Sequence, residues 1–307
     1  MLIREANHKD IPQILKVLKA SLGETSSKKT EEVWRYKHID NPFGESLVLI
    51  AEEDKEIIGV RAFMRWQWQK GEQVYSAYRA VDTATHPEHQ GKGIFKELTL
   101  KALEIGKERG DHFVFNTPNA QSKPGYLKMG WKEVDKLKIH LRPLNPLKIK
   151  KNAFEYKVTG NKSASEKLTN SFFERQTAAN RLFTPKHMAY LIWRYINNPL
   201  QNYIVVFNKE YFIAGYVKER KRFKEFRVSE AIVSRDGKKR AKSAILKLAK
   251  SSGAKFLSIS PDAGITFKLG ITGNLGPVLT YKPLNLDQPD FLNLKTWAYS
   301  LGDLELF

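Results

Sequence analysis

The stretch THPEHQGKGIF, Thr85–Phe95, decides how the whole sequence is interpreted, because it joins a strand pattern to a helix pattern. The strand-like run YRAVDTAT leads directly into it, and apolar residues at helical spacing predict an α-helix from about Ile94 to Glu108. Glycines at the start of a helix leave backbone N–H groups unpaired and let a ligand approach them closely. Together with the helix dipole, these groups favour an anion such as phosphate at this point of the chain.

Other interpretations of this stretch have less support. His86 and His89 flank Pro87 and do not share a helix face, and no cysteine or carboxylate cluster completes a ligand set, so the sequence predicts no metal. The spacing of a Walker phosphate loop is absent, and the antiparallel strands before the glycines do not suit a Rossmann fold. An ordinary polar turn without a ligand stays open as the alternative.

Composition limits the class of protein and raises a question about its partners. No run of residues approaches the roughly 18 apolar positions of a membrane span, the N-terminus has no basic-then-apolar leader, and there is no cysteine for a disulfide or a nucleophile. We therefore expect a cytoplasmic location. The net charge is +19, and residues 151–307 carry 26 Lys and Arg against 13 Asp and Glu. This excess indicates either a solvated face or an anionic partner, such as a nucleotide-linked substrate, polysaccharide or nucleic acid.

The chain contains a weak internal repeat. Its length favours two domains, and four motifs recur in the same order. They pair residues 33–42 with 192–199, 55–60 with 212–217, 113–120 with 256–263, and 126–131 with 266–271. Mixed strands and helices predict an α/β (α+β) fold, duplicated in tandem as residues 1–142 and 152–307, with Leu141–Asn152 as linker. The second copy has a single glycine, Gly237, where the first has two, so we place the reaction centre in the first.

The first half resembles the GNAT acetyltransferase superfamily in IREANHKDI, VDTATHPEHQGKGI and FNTPNAQSKPGYLKMGWKEV. The family's pyrophosphate loop, Gln/Arg-x-x-Gly-x-Gly/Ala, is matched at Gln90 and Gly93, whereas Phe95 stands where a small residue is expected. The second half resembles a diverged, degenerate GNAT domain, so the resemblance implies two domains that each have a mixed central sheet flanked by helices. The end of the chain, WAYSLGDLELF, resembles the C-terminal tail of tandem GNAT proteins, and relatives with this layout are associated with cell-surface polysaccharide biosynthesis.

The resemblance implies acetyl-CoA as co-substrate and direct transfer of its acetyl group to a primary amine of a small or sugar-like acceptor. Anionic and nucleotide-linked amines are among the acceptors expected. Backbone groups of Thr83, Ala84 and Thr85 would pair with the pantetheine arm. The residues implied to hold the rest of the cofactor are Gln90, Gly91, Lys92, Gly93 and Ile94 at the pyrophosphate and Asn119, with Asn116 as a weaker candidate, at the arm.

Two residues are the candidates for catalysis. Tyr126 is implied as the general acid that protonates the leaving thiolate, with plain packing beside Pro124 as the alternative. Asp82 is a candidate general base, directly or through water, with structural hydrogen bonding as the alternative. The C-terminal carboxylate of Phe307 is a further candidate base.

Two other functions remain open at this point. The same doubled fold occurs in transferases that use aminoacyl-tRNA, which the basic second half would suit. The chain is alternatively a non-enzymatic acyl-CoA sensor or adaptor whose second domain binds a partner.

Overall fold

A computed structural model describes residues 1–24, 28–145, 157–160, 162–286 and 288–304, with residues 162–166 described by their backbone alone. The helices are α1 (Ile11–Leu22), α2 (Glu31–His38), α3 (Ile94–Glu108), α4 (Lys123–Lys128), α5 (Lys162–Ala179), α6 (Met188–Leu191), α7 (Lys238–Ser251) and α8 (Leu301–Leu304). The strands are β1 (Leu2–Glu5), β2 (Leu47–Glu53), β3 (Glu56–Lys70), β4 (Gln73–Thr85), β5 (Phe113–Asn116), β6 (Lys132–Lys136), β7 (Ile139–Pro143), β8 (Val158–Gly160), β9 (Ile204–Phe207), β10 (Tyr211–Arg220), β11 (Phe223–Val233), β12 (Phe256–Ile259), β13 (Ile271–Gly273) and β14 (Val278–Pro283). Within these ranges, no helix is both long enough and apolar enough to cross a bilayer.

The strands form two seven-stranded mixed sheets with corresponding strand orders, although β1 and β2 are antiparallel whereas β8 and β9 are parallel. The first has the order β1-β2-β3-β4-β5-β14-β6, and the second, read from its other edge, has the order β8-β9-β10-β11-β12-β7-β13. In each sheet the fourth and fifth strands pair in parallel, β4 with β5 and β11 with β12. The sheets confirm the predicted pair of GNAT-like folds in the α/β (α+β) class.

The two halves exchange one strand. β14, from the second half, lies between β5 and β6, while β7, from the first half, lies between β12 and β13. The expected linker is therefore wrong at its start, because Leu141–Pro143 pair with β12 as part of β7; the rest of it from residue 146 lies outside the described residues. The proposed boundary between residues 1–142 and 152–307 separates the repeats without separating the sheets.

Local patterns predicted several elements correctly. The three antiparallel strands from Leu47 to Thr85 are β2, β3 and β4, and the helix expected from Ile94 to Glu108 is α3 with the same bounds. The repeated motifs occupy matching places: Phe113 begins β5 and Phe256 begins β12, each opposite the parallel neighbouring strand.

Aromatic residues of the two halves share one core. Trp66 and Trp68 of β3 are fully buried: Trp66 donates to the Thr184 hydroxyl at 3.1 Å, and Trp68 packs edge-on against Trp297 at 4.8 Å between ring centroids. The aromatic rings of the repeated WRY motifs also meet, because Tyr36 stacks on Trp193. Burial of aromatic residues from both halves therefore joins the two sheets.

In the second copy, the C-terminal segment packs closely against β11 and the end of β12. The Ser260 hydroxyl, just after β12, donates to the carbonyl oxygen of Tyr299 at 2.6 Å. A Cβ atom on Gly302 would lie 3.1 Å from the Ser229 carbonyl oxygen of β11. The C-terminal segment therefore runs against β11, and close packing at Gly302 leaves no room for a side chain there.

Candidate functional site

Strand β4 opens away from β5 and leaves part of its edge unpaired. The two strands pair only over Ala77–Arg79 with Phe113–Phe115. Beyond that point β4 continues to Thr85 beside β3, and its residues 80–85 line a cavity on the other side. An exposed strand edge offers backbone N–H and C=O groups to an extended ligand that contains amides.

A β-bulge interrupts β4 at Asp82. Arg61 of β3 pairs with Thr83, but the next residue, Ala62, pairs with Val81, so Asp82 has no partner on β3. Asp82 has a φ of 39°, in the left-handed region that a non-glycine residue seldom adopts. Bulges turn backbone and side-chain groups out of the ladder, and this one turns the chain at the middle of the unpaired edge.

The loop after β4 has the predicted geometry at the N-terminus of α3. Gly91 and Gly93 have φ of 79° and 82°, and Gly93 is the residue that precedes the first turn of α3. A Cβ atom on Gly91 would meet nothing within 4 Å, so the loop encloses open space. Glycine at these positions therefore allows the left-handed backbone conformation and leaves room for a ligand to approach, and it is not required by internal packing.

One cavity of about 700 Å³ joins these features, a volume typical of a site for a small ligand or cofactor. Its walls come from the end of α1, from α2, from the unpaired edge of β4, from the glycine loop and from the segment that leads into α4. Ten predicted residues line it, namely Asp82, Thr83, Ala84, Thr85, Gln90, Gly91, Gly93, Ile94, Asn119 and Tyr126. Lys92 is exposed and does not line it, and its ammonium lies 3.3 Å from His89 Nδ1.

Tyr126 is buried on α4, and Arg61 holds its hydroxyl group. Arg61 Nη1 donates to the Tyr126 hydroxyl oxygen at 2.7 Å and also to the hydroxyl of Thr83. Because the guanidinium occupies a lone pair of the phenol oxygen and cannot accept a proton, the phenol O–H is left to point elsewhere. Arg61 was not among the residues predicted for the site, although a single charge within the apolar run IIGVRAFM indicates a buried and paired cation.

Phe95, the departure from the family pattern, lies beside the same tyrosine. Its ring packs edge-on against Tyr126 with centroids 5.7 Å apart, and it also lines the cavity. A Cβ atom on Gly125 would lie 3.2 Å from Phe95 Cε1. Phe95 therefore both shapes the cavity and fixes the position of α4 through an aromatic contact.

Asp82 is an ion-paired carboxylate. It contacts the Lys37 ammonium and accepts a hydrogen bond from His38 Nε2 at 3.0 Å, while His38 Nδ1 faces the Ser46 hydroxyl at 2.8 Å. Burial opposes ionisation of Asp82, but the Lys37 charge and the His38 hydrogen bond outweigh it and hold its pKa well below the usual range. A carboxylate with a lowered pKa is a weak base, so this geometry favours the structural alternative for Asp82.

Burial lowers the pKa of His38 despite its bond to Asp82. As pH falls below the ordinary value of 6.5, the unfolded chain gains a proton that folded His38 does not, so stability should fall by up to about 1.4 kcal/mol per pH unit. We expect the melting temperature between pH 7 and 5.5 to fall less steeply in His38→Gln than in the wild type. The exposed His8→Gln variant is the control, and equal slopes in all three proteins would contradict the assignment.

Asn119, a predicted cofactor-binding residue, makes hydrogen bonds within its own loop. The Asn119 side-chain oxygen accepts hydrogen bonds from the backbone N–H groups of Gln121 (3.1 Å) and Ser122 (2.9 Å), which closes the turn before α4.

His86, Glu88 and His89 bring their ligand atoms within 4.8 Å of one another. The Lys92 ammonium beside His89 disfavours a cation there, and the expected absence of a metal stays a prediction.

Comparison with known proteins finds a family match over the first half of the chain and a shared fold over most of it. The model of the acetyltransferase (GNAT) domain matches residues 2–134. Among solved structures, a conserved protein of unknown function from Enterococcus faecalis has 8% identity and a TM-score of 0.66, covering 93% of this chain and 73% of that chain. A GCN5-related N-acetyltransferase from Anabaena variabilis has the same fold, with 13% identity and a TM-score of 0.65, covering 92% of this chain and 73% of that chain. A GCN5-related N-acetyltransferase from Kribbella flavida also shares the fold, with 13% identity and a TM-score of 0.61, covering 92% of this chain and 71% of that chain. No curated protein sequence matches. Residues 2–134 therefore match a GNAT acetyltransferase domain, and the chain shares its fold with the solved GCN5-related N-acetyltransferases.

Proposed function

We propose that the protein is an acetyl-CoA-dependent N-acetyltransferase that acts on a primary amine of a small or sugar-like acceptor. The observation that carries this proposal is the single cavity that joins the unpaired edge of β4, the glycine loop and Tyr126. The edge fits the amides of a pantetheine arm, and the N–H groups at the start of α3 fit a pyrophosphate. Gln90 lies between the two, its side-chain amide 3.4 Å from the Thr85 carbonyl oxygen.

Acetyl transfer requires that the leaving sulfur gains a proton and that the amine nitrogen loses one. Acetyl-CoA supplies a thioester whose carbonyl carbon bonds to the amine nitrogen as the C–S bond breaks. Tyr126 donates its phenol proton to the departing sulfur, and Arg61 holds the phenol oxygen for that transfer. The bulge at Asp82 places unpaired backbone of β4 beside this point.

Removal of the amine proton is the less defined step. Asp82 is ion-paired and has a lowered pKa, so we propose that it positions Lys37 and His38 while solvent accepts the proton. The other candidate base, the terminal carboxylate of Phe307, lies outside the described residues.

The first test is stabilisation by the co-substrate. Acetyl-CoA at about 100 times its dissociation constant should add roughly 2.7 kcal/mol to the free energy of unfolding. Release of free thiol with a panel of amines then tests turnover. Stabilisation without turnover of any amine would favour an acyl-CoA sensor, and strong, salt-sensitive tRNA binding without acetyl-CoA stabilisation would favour an aminoacyl-tRNA-dependent transferase.

The glycine loop gives a specific binding prediction. Gly93→Ala places a side chain at a left-handed position in the ligand's path, and we expect it to raise the acetyl-CoA dissociation constant at least about 10-fold. The matched control is Gly110→Ala, just past the other end of α3, which has a φ of 77° and nothing within 4 Å of its Cβ atom. Both variants should lose similar stability, about 1 kcal/mol. Equal binding by the two, measured by calorimetry, would count against a pyrophosphate site at the loop.

A further inference from the structure

A second cavity lies on one face of the second sheet, away from the cavity that Tyr126 lines. It is a groove of about 420 Å³, and the apolar residues that line it are Ile139, Leu141, Phe223 and Leu275. The face of the sheet that contains this groove is here called the groove face. Among the residues that the structure describes, the two cavities share no lining residue, so the groove requires an explanation of its own.

The register of the strands shows how the groove face is built. Leu141 of β7 pairs with Ser258 of β12 on one side and with Ile271 of β13 on the other, and Ser258 pairs with Arg227 of β11. Directly paired residues point to the same side of a sheet, so these four form one row across the groove face. Helix α7 covers the opposite face, because its apolar side joins Leu257, the residue before Ser258, in one buried cluster.

The groove face exposes large apolar side chains to solvent. Ile271 and Leu275 are 65% and 52% exposed, and Phe223 at the start of β11 is 36% exposed. Ile271 belongs to β13, the edge strand of the sheet, and Leu275 lies in the loop that follows this strand. Single exposed apolar residues are ordinary, but three of them around one groove indicate a surface that another molecule covers.

Cations surround the same groove at the turn between β10 and β11. Residues 219–224 contain four Lys and Arg against one Glu, and Arg220, Lys221 and Arg222 all line the groove. Arg220 pairs with Glu225 at 2.7 Å, and the side chains of Lys221 and Arg222 are exposed at the turn. The groove face therefore combines exposed apolar side chains with a cationic rim.

We propose that the groove face binds the surface of an anionic phospholipid bilayer. Surfaces that bind at a bilayer interface combine apolar side chains, which enter the boundary between headgroups and acyl chains, with Lys and Arg that attract anionic lipids. A nucleic acid would gain little from the aliphatic Ile271 and Leu275, which offer no ring for base stacking. A second copy of the chain would place the cationic rim against its own equivalent, which is repulsive. The proposal is independent of the proposed transferase function.

Co-sedimentation of the full chain with vesicles tests the proposal. We expect the protein to pellet with vesicles of equal parts phosphatidylcholine and phosphatidylglycerol but not with phosphatidylcholine alone, because the cationic rim requires anionic headgroups. Salt at about 1 M should release most of the protein, since it screens exposed charges beyond roughly 3 Å. Failure to pellet with the mixed vesicles, or equal pelleting with both kinds, overturns the proposal. Salt-sensitive binding of tRNA by a protein that ignores the vesicles would assign the face to nucleic acid instead.

A charge-reversal variant assigns vesicle binding to the cationic rim. Arg222→Glu should lower the partition coefficient onto the mixed vesicles at least about 10-fold, because an anion replaces a cation at the bilayer surface. Lys247→Glu is the matched control, since it makes the same change of net charge at an exposed position of α7, on the opposite face of the sheet. An equal loss in the two variants would mean that net charge alone attracts the protein, and it would overturn the groove face as the binding surface.

An apolar variant tests the second component of the groove face. Leu275→Ser should lower the partition coefficient at least about 5-fold, because one leucine side chain no longer enters the interface. Leu100→Ser is its control, a leucine of α3 that is 43% exposed and belongs to the other sheet's half of the chain. Both variants change exposed side chains, so their melting temperatures should stay near that of the wild type. Equal partitioning of Leu275→Ser and Leu100→Ser would contradict insertion of the groove face into the bilayer.

Discussion

Residues 1–145 expressed alone should fail to form a cooperatively folded domain, although they include the whole segment that matches the GNAT domain model. The reason is the exchanged strand: β14 supplies the ladder between β5 and β6, pairing with four residues of each. Leu279 and Tyr281 of β14 are also buried at 0% and 2% exposure. Their burial contributes about 1.5–3 kcal/mol each, which is a large part of the roughly 5–15 kcal/mol that stabilises a domain.

Fragment complementation provides the measurement and its control. Residues 1–150 and 151–307 should each be insoluble or lack a cooperative thermal transition, whereas co-expression should give a complex that purifies as one species. A second rescue joins Lys136 to Val278, which are paired neighbours, through a two-residue Asn-Gly turn. It should restore strand content to the first half. A cooperative melt and acetyl-CoA binding by residues 1–145 alone would show that the exchange is dispensable.

The limits of sequence-based prediction follow from the range of each interaction. The glycine loop and α3 were predictable because Gly91, Gly93 and the apolar stripe act within a few residues of one another. The exchange of β7 and β14 was not predictable, because a short strand pattern such as VLTYKP indicates a strand but not the strands with which it pairs. The repeat itself suggested two separate sheets, and only the tertiary contacts show that each takes a strand from the other half.

The candidate site shows the same division. Ten of the residues that the motif resemblance named line one cavity, but the resemblance did not predict the distant residues that bond to them. Arg61 reaches Tyr126 across 65 positions, and His38 reaches Asp82 across 44. A lone charge in an apolar strand indicated that Arg61 needs a partner, although nothing in the sequence specified which residue that is. The pairing with Lys37 and His38 makes Asp82 an ion-paired carboxylate, which favours a structural role over that of a base.

Tyr126→Phe should lower kcat by about 10²–10³-fold, equivalent to roughly 2.7–4 kcal/mol of transition-state stabilisation. The substitution removes only the hydroxyl group, so the contacts of its ring with Phe95 and Trp131 remain. The acetyl-CoA dissociation constant should therefore stay within about twofold, because the phenol acts on the leaving sulfur and not on the bound arm. Free-thiol release under saturating acetyl-CoA and calorimetric binding measure the two quantities separately.

The matched control for that variant is Tyr78→Phe. Tyr78 is another buried tyrosine of the same domain, its hydroxyl accepts from Arg65 Nη2 at 2.7 Å, and it does not line the cavity. It should lose comparable stability while its kcat stays near that of the wild type. Arg61→Lys should lower kcat in the wild-type background but have little further effect on kcat once Tyr126 is Phe, because the arginine acts through the phenol oxygen. Equal losses of kcat in Tyr126→Phe and Tyr78→Phe would mean that the hydroxyl of Tyr126 is structural and that another group protonates the thiolate.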